Sequence, residues 1–598
     1  MTKGERGVGG LDTNENRHKI ENRKSKIENL FWFSLSMAFA AMIGWMALQR
    51  AFGGEYVVQD DARQHVFWMQ RFLDPALFPN DLTADYFQSV APWGYTTVYR
   101  VMATLGIDPF VLSKLLPPVL WLIATAYCFG TCLQILPVPI ASFFSSVLLN
   151  LSTVVADDIN SATPRAFVYP LFLAFLYYLM KRSPVPCWIA IALQGLFYPQ
   201  VMLVSCGVLV LRLVSWQDKR PRLTESRNEQ LLSGVGLVVG CAALLFYAIG
   251  GATEFGPTIS AAAARQMPEF WKDGRGSFFS NNPFDYWLIS MRSGIVPRPS
   301  QLLKPPLVAI GLFLPLLIRS PQRYPLVQNI TDKVRVLVQV LLSSIVLFFA
   351  AHAVLFSLHH PSRYTQHSFR VVMVLSAGVT LAILLDALFR WANQRNDWRR
   401  RLTALGTAIA LGLFLMTYPV SVPLQKAVPV LEVLFPTRIL PGYITGREPD
   451  LYQFFAQQPR DIVIASLSRE ANNLPSFSQR TVLVSWEYGI PYHVGYYRQV
   501  RERVLDLIRA HYGTDAKQVR QFTEKYGIDY WLIQQETFTP SFVEKLWGRQ
   551  FKPETSAAIA TLQQGTMPIV QQAIADCAAF KNERFVVLNA ACVVRSEN

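Results

Sequence analysis

The sequence predicts a polytopic α-helical membrane protein that ends in a soluble α/β domain. Three observations carry that reading. Of the 598 residues, 51% are hydrophobic and 16% charged, with a positive mean hydropathy, too apolar for a soluble chain of this size. Long apolar runs recur from residue 30 to about residue 419. After them the chain changes to short β-branched and aromatic runs that alternate with amphipathic stretches.

The apolar runs fall at 30–48, 110–134, 137–156, 165–181, 185–215, 230–250, 306–319, 335–357, 371–390 and 402–419. A spanning helix needs about 20 residues. Residues 1–29 are polar and mixed in charge, so the first run acts as an uncleaved anchor. The run 185–215 is too long for one crossing: at full length its helix would measure roughly 45 Å against a hydrocarbon core of about 30 Å. Pro199, in "FYPQ", removes a backbone donor and disfavours helix before it, which predicts a tight turn between two short helices.

With that break there are eleven spans and an inside N-terminus. The segments then placed inside are 1–29, 181–185, 215–229, 319–335 and 390–401. They hold 22 Lys and Arg against 10 Asp and Glu, which is +12 of the formal +15. The basic excess is therefore a topology signal. It argues against a nucleic-acid partner and leaves membrane lipids as the surroundings. The expected organisation is a cytoplasmic segment 1–29, a membrane domain 30–419 with large outer loops 50–109 and 251–305, and an outer α/β domain 420–598.

In the last domain "DIVIAS" (461–466), "TVLVSW" (481–486) and "DYWLIQ" (529–534) read as strands. The stretches 496–512 and 516–527 read as helices, the second closed by Gly527. Cys128, Cys132, Cys187, Cys206 and Cys241 lie in or beside spans as packing residues. Cys577 and Cys592 lie in the outer domain, where a disulfide can persist; the alternative is two buried thiols.

Polar chain gathers on the outer face, and the candidate chemistry lies there. Asp60 and Asp61 follow the first span in "QDDARQH". Asp61 with Gln64 fits an acidic helix cap, which leaves Asp60 unexplained. As a pair the carboxylates would repel, raising the proton affinity of one, or together hold a hard divalent cation such as Mg²⁺ or Mn²⁺. A second pair, Asp157–Asp158 in "ADDINSATPR", faces the same side with Arg165 nearby; it is either a polar turn or a further metal or acceptor contact, the cation set being Asp60, Asp61 and Asp158. In "HHPSRYTQH", Arg363 with Tyr364 suits a phosphate through its fork of donors, or else anchors the chain at lipid headgroups. The aromatic, Gly-rich loop 264–287 suits a cover over sugar rings or an interfacial loop. Walker, dinucleotide, zinc and serine-elbow patterns are absent from the sequence, which disfavours an ATP-driven pump.

Taken together, "QDDARQH", the amphipathic 74–95 segment, "ADDINSATPRAF", "PSRYT" and the outer domain resemble the GT-C superfamily of polytopic glycosyltransferases. The stretch 451–493 looks like the outer domain of bacterial proteins of that kind. The resemblance implies a multi-pass protein of the bacterial inner membrane with its C-terminal domain in the periplasm, and transfer of a sugar from a polyprenyl-phosphate donor to an acceptor hydroxyl of a glycan, lipid or protein, with inversion. Asp60 or Asp61 would be the base, and Arg363 with Tyr364 would hold the donor phosphate. The alternatives are a non-catalytic relative that binds lipid-linked glycans for assembly or export and, less in keeping with the few mid-span charges, a secondary transporter.

Overall fold

In hydrocarbon every backbone polar group must be bonded within the protein, so apolar runs become helices that bury their faces against one another. The structure is a computed structural model and describes residues 11–217, 220–250, 254–297, 299–395, 397–420, 439–545 and 550–595. Among the described residues, six helices are long and apolar enough to cross a membrane: Ser25–Ala51, Pro109–Ile135, Arg227–Tyr247, Asp332–Ala353, Arg363–Asn393 and Trp398–Thr417. Shorter helices at Pro139–Val154, Val168–Lys181, Pro184–Phe197, Pro199–Leu213 and Pro306–Ile318 occupy the remaining apolar runs. The protein is a polytopic, mostly helical membrane protein. The run 185–215 breaks at Tyr198, whose backbone is extended (φ −153°), and Pro199 opens the next helix, where its missing N–H costs nothing.

Close approach sets the packing of the bundle. Helix Arg363–Asn393, buried almost continuously from Val371 to Ile383, lies against Pro139–Val154. Gly378 makes the contact possible, because a side chain there would run into Ser145. On the first helix Gly44 faces Pro118, with room for no Cβ: one would lie 2.9 Å from the proline ring.

The C-terminal unit is a small sheet covered by helices. Strand Val463–Ala465 lies between Thr481–Val482 and Tyr530–Gln534, parallel to both. Phe585–Asn589 then pairs antiparallel with Tyr530–Gln534 and with the edge strand Ala578–Lys581. Helices Val494–His511 and Ala516–Tyr526 carry amphipathic faces, and Gly527 closes the second in the left-handed conformation (φ +60°). Cys577 and Cys592 form a disulfide that brackets the last two strands. The expected domain start at residue 420 borders 421–438, which lie outside the described residues.

A two-stranded ladder ties this unit to the first long loop. Val57–Gln59 pairs antiparallel with Tyr443–Thr445, and the amide of Asp60 donates to the Gly442 carbonyl at 2.6 Å. Gly442 has φ +87°, and a Cβ there would lie 2.7 Å from Gln59 Nε2. Gly442→Ala is therefore expected to cost about 1–3 kcal/mol. A thermal melt of the detergent-solubilised protein checks it, a lowered midpoint being expected and an unchanged one refuting the constraint.

Candidate active site

The ladder delivers the chain to a short helix, Asp60–His65. Its cap is Gln59, whose Oε1 accepts from the amides of Asp61 at 2.8 Å and Ala62 at 3.2 Å. This corrects the expected cap at Asp61. With Gln59 serving the amides, both aspartate side chains sit in the first turn, where the helix dipole favours negative charge, and both are free to face outward.

Each carboxylate has its own guanidinium, so the mutual repulsion expected of an isolated pair is replaced by two ion pairs. Asp60, 41% exposed, pairs with Arg63 three residues on. Asp61, 32% exposed, pairs with Arg165. Arg165 also donates to the Asp157 carbonyl at 2.9 Å and lies 3.6 Å from the Asp157 carboxylate and 3.4 Å from that of Asp158. One cation thus joins the two acidic loops.

Asp158 is set apart from the doublet. It has no exposed surface, accepts a hydrogen bond from Tyr169 at 2.9 Å, and pairs with Arg370. Burial alone would raise its proton affinity, but His367, Arg370 and Arg165 outweigh that and hold it well below the usual carboxylate range. This buried ion pair does not fit a metal ligand. Among the described residues no three His, Cys, Asp or Glu side chains are grouped so as to hold a metal ion.

Arg363 approaches from the start of helix Arg363–Asn393. Its Nη1 donates to Gln366 at 3.2 Å, its Nε is buried without a partner, and among the described residues it has no carboxylate within ion-pair distance. Tyr198, at the Pro199 break, feels the charges of Arg363, Arg165, Asp158 and Asp61 together, so these groups share one region of the same face. Tyr364 does not join them: it is 1% exposed and its hydroxyl donates to the Leu358 carbonyl at 2.8 Å. That corrects its expected place at a phosphate. Beside Arg363, His360 is buried with neither ring nitrogen hydrogen-bonded. Burial, with His359, Arg292 and Arg363 adding, keeps that imidazole neutral well below its ordinary range.

The C-terminal unit supplies a carboxylate that the sequence reading missed. Glu487 lies 3.7 Å from Arg63, accepts from Gln64, and pairs with Arg275 of the second long loop at 2.8 Å. Burial pushes its carboxyl up, Arg275 pulls it back, and the charge of Asp60 adds to the rise. Arg63 also donates to Asn473 at 2.7 Å. The second long loop is fastened to the same unit: buried Glu269 accepts from Tyr497 at 2.9 Å and pairs with Arg501 at 2.7 Å. Its turn at Gly274 passes so close to the Glu269 backbone that no side chain would fit. A signal for Glu487 was present in "VSWEYG", where an acidic residue interrupts an aromatic run. Arg370 was hidden because the span was expected to begin at 371, whereas the helix starts at Arg363 and carries it two turns inward.

A multi-pass helical membrane protein with paired, arginine-held carboxylates beneath an α/β unit is the class that fold and site define. The chain is similar in fold to two enzymes of known structure. It matches the oligosaccharyltransferase of Archaeoglobus fulgidus tethered with an acceptor peptide at 10% identity, over 88% of this chain and 72% of that one, with a TM-score of 0.49. The same archaeal enzyme in complex with an inhibitory peptide and a dolichol-phosphate gives 10% identity, 92% and 72% coverage and a TM-score of 0.48. ArnT from Cupriavidus metallidurans bound to undecaprenyl phosphate gives 14% identity, 94% and 98% coverage and a TM-score of 0.45. No protein-family model matches the chain, and no curated protein sequence does.

Removing one partner of a buried ion pair leaves a charge without compensation, at about 3–5 kcal/mol. Arg370→Met is thus expected to lower the melting temperature strongly, and Asp158→Leu added to it to recover most of the loss. The double-mutant cycle on purified protein measures this; additive losses would mean that the two groups do not act as a pair.

Proposed function

We propose that the protein is a GT-C-type glycosyltransferase that moves a sugar from a polyprenyl-phosphate donor to an acceptor hydroxyl on the outer face of the membrane. The observation that carries this reading is the division of charge in one region. Asp60 and Asp61 keep exposed carboxylate surface, while Arg363 and His360 keep unused hydrogen-bonding nitrogens and no acid of their own among the described residues. A base and an anion-binding group whose charges both reach Tyr198 are what glycosyl transfer from a phosphate requires.

The chemistry follows from those roles. A carboxylate of the doublet takes the acceptor hydroxyl proton as the oxygen attacks the anomeric carbon. The bond from that carbon to the phosphate oxygen breaks on the opposite side, which inverts the centre. The polyprenyl phosphate leaves as an anion, and the planar fork of Arg363 meets the charge that develops on it. Arg63 and Arg165 pair with the carboxylates and orient them. Helix Arg363–Asn393 enters the apolar bundle directly below the guanidinium, which suits a donor whose lipid tail stays in the bilayer. In this reading the C-terminal domain, 420–598, and the loops 50–109 and 251–305 stand on the periplasmic side and the N-terminus inside, in keeping with the basic residues of the other face.

The test is turnover of a radiolabelled polyprenyl-phosphate sugar by the solubilised protein. Asp60→Asn or Asp61→Asn is expected to lower the rate at least about 100-fold at unchanged expression and melting temperature, and Arg363→Gln to lower both donor binding and rate. Full activity in both aspartate variants would end the base assignment. Donor binding with no turnover in the unaltered protein would favour the non-catalytic alternative.

A further inference from the structure

The end of the bundle remote from the doublet contains a cavity that the transfer chemistry does not use. Four helix ends meet there: Val168–Lys181 and Pro199–Leu213 finish at it, and Arg227–Tyr247 and Asp332–Ala353 begin at it. Helix Pro199–Leu213 starts beside Tyr198, in the region of the doublet and Arg363, and delivers Leu211 and Arg212 to the cavity. Its 15 residues separate the two places by about 22 Å. The cavity measures about 600 Å³, within the range that holds small organic molecules. Part of its wall is apolar, with Leu179, Met180 and Val336 all buried.

The charges of the lining do not cancel. Lys181, Arg182, Arg212, Lys333 and Arg335 stand against only two carboxylates, Glu229 and Asp332, an excess of three positive charges. Glu229 is fully engaged: one oxygen accepts from Arg212 Nε at 2.9 Å, the other from Nη2 at 2.6 Å, and Arg182 lies 3.5 Å away. Asp332 is exposed, and among the described residues it has no cation within ion-pair distance. Lys333 donates to the Gln134 side chain at 2.5 Å, and Lys181 lies over the Tyr177 ring at 5.6 Å. Both partners are neutral and leave the charge in place. Arg335 has no carboxylate within ion-pair distance among the described residues. Gln339 adds to the lining an amide oxygen that is buried without a hydrogen-bond partner.

Basic residues at span ends serve topology, but that role needs only their charge and not a shared cavity. We infer that the cavity holds the phosphodiester headgroup of an anionic glycerophospholipid from the leaflet at this face. Basic pockets between spans suit such headgroups. The phosphate meets the surplus cations, and a headgroup hydroxyl donates to the Gln339 oxygen. The acyl chains run on along exposed apolar side chains of the same helices, Val210 and Val338 among them. A small soluble anion would use the cations and leave that apolar surface uncovered. The site stands apart from the transferase reading, since it needs only these helix ends at a membrane face.

The experiment measures binding to the delipidated full chain by native mass spectrometry, with dioleoylphosphatidylglycerol, dioleoylphosphatidylcholine or glycerol 3-phosphate added. The anionic lipid is expected to bind at least about tenfold more tightly than either the zwitterionic lipid or glycerol 3-phosphate, which lacks the chains. Lys181→Gln with Arg335→Gln is expected to abolish the preference at an unchanged melting temperature. Arg319→Gln with Arg323→Gln removes as much charge from exposed positions outside the cavity, in the segment leading to Asp332, and is expected to keep it. Arg363→Gln is expected to keep it too, so failure of the transfer assignment and failure of this site are read separately. Equal binding of the two lipids, or glycerol 3-phosphate binding as tightly as the anionic lipid, overturns the inference. So does an undiminished preference in the first double variant, an equal loss in the second, or a loss in Arg363→Gln, which would put the lipid at the transfer region.

Discussion

Arg165 is the group on which the rest of the face depends. It stands in the loop after helix Pro139–Val154, largely enclosed by protein, and takes Asp61 of the first loop on one side and Asp157 and Asp158 of its own loop on the other. Three carboxylates so close together at a membrane surface would repel one another and resist burial. A single guanidinium, with five donors in a fixed plane, hydrogen-bonds Asp61, lies 3.6 and 3.4 Å from the Asp157 and Asp158 carboxylates, and so fixes the distance between the loops. Arg370 completes the lower layer by balancing Asp158, which Arg165 alone could not serve while also holding Asp61. The order of the charges follows: a buried pair at the bottom, a shared cation in the middle, and two half-exposed carboxylates at the top.

That stack gains its upper wall from the C-terminal unit. The ladder between 57–59 and 443–445 places the doublet helix against it, and Arg63 is held from both sides, by Asp60 below and by Asn473 and Glu487 above. Arg275 from the second long loop closes on the same glutamate. Apart from the local Asp60–Arg63 pair, each of these contacts crosses between segments far apart in sequence. The stacked rings of Tyr86 and Tyr496, 3.7 Å apart, add an apolar seam between the first loop and the unit. The doublet is therefore oriented by tertiary contacts rather than by its short helix, which has too few residues to hold itself.

Much of this was legible in the sequence, and the unread part has a physical cause. Apolar runs, the Pro199 break and the Gly527 cap are local signals, and each appears in the structure where the residues put it. The strands Ala578–Lys581 and Phe585–Asn589 were not anticipated, because short edge pairing leaves little pattern. The doublet was visible as two acids after a span, and Arg165 as a neighbour of the second acidic pair, but the pairing of Arg165 with Asp61 and of Arg63 with Asp60 was not. Arg63 looked like part of a cap, and Glu487 like the end of a strand. The contacts of Arg63 and Gln64 with Asn473 and Glu487 cross more than 400 residues and leave no periodicity to read. Tyr364 misled for a related reason: adjacency to Arg363 suggested a shared task, yet consecutive residues on a helix point in different directions.

The contrast between the arginines bears on function more than their number does. Arg63, Arg165, Arg275 and Arg370 each hold a carboxylate and so act as structural counter-charges. Arg363 has none among the described residues, although it stands in the same region and feels the same field. A guanidinium without a carboxylate partner costs free energy where it is partly enclosed, and an anion beside it would relieve that cost. His360, neutral and unbonded beside it, carries the same bias: a phosphate drawn to Arg363 would favour a proton on that ring and gain a second donor. On the proposed function, this uncompensated charge is the place the donor phosphate would occupy.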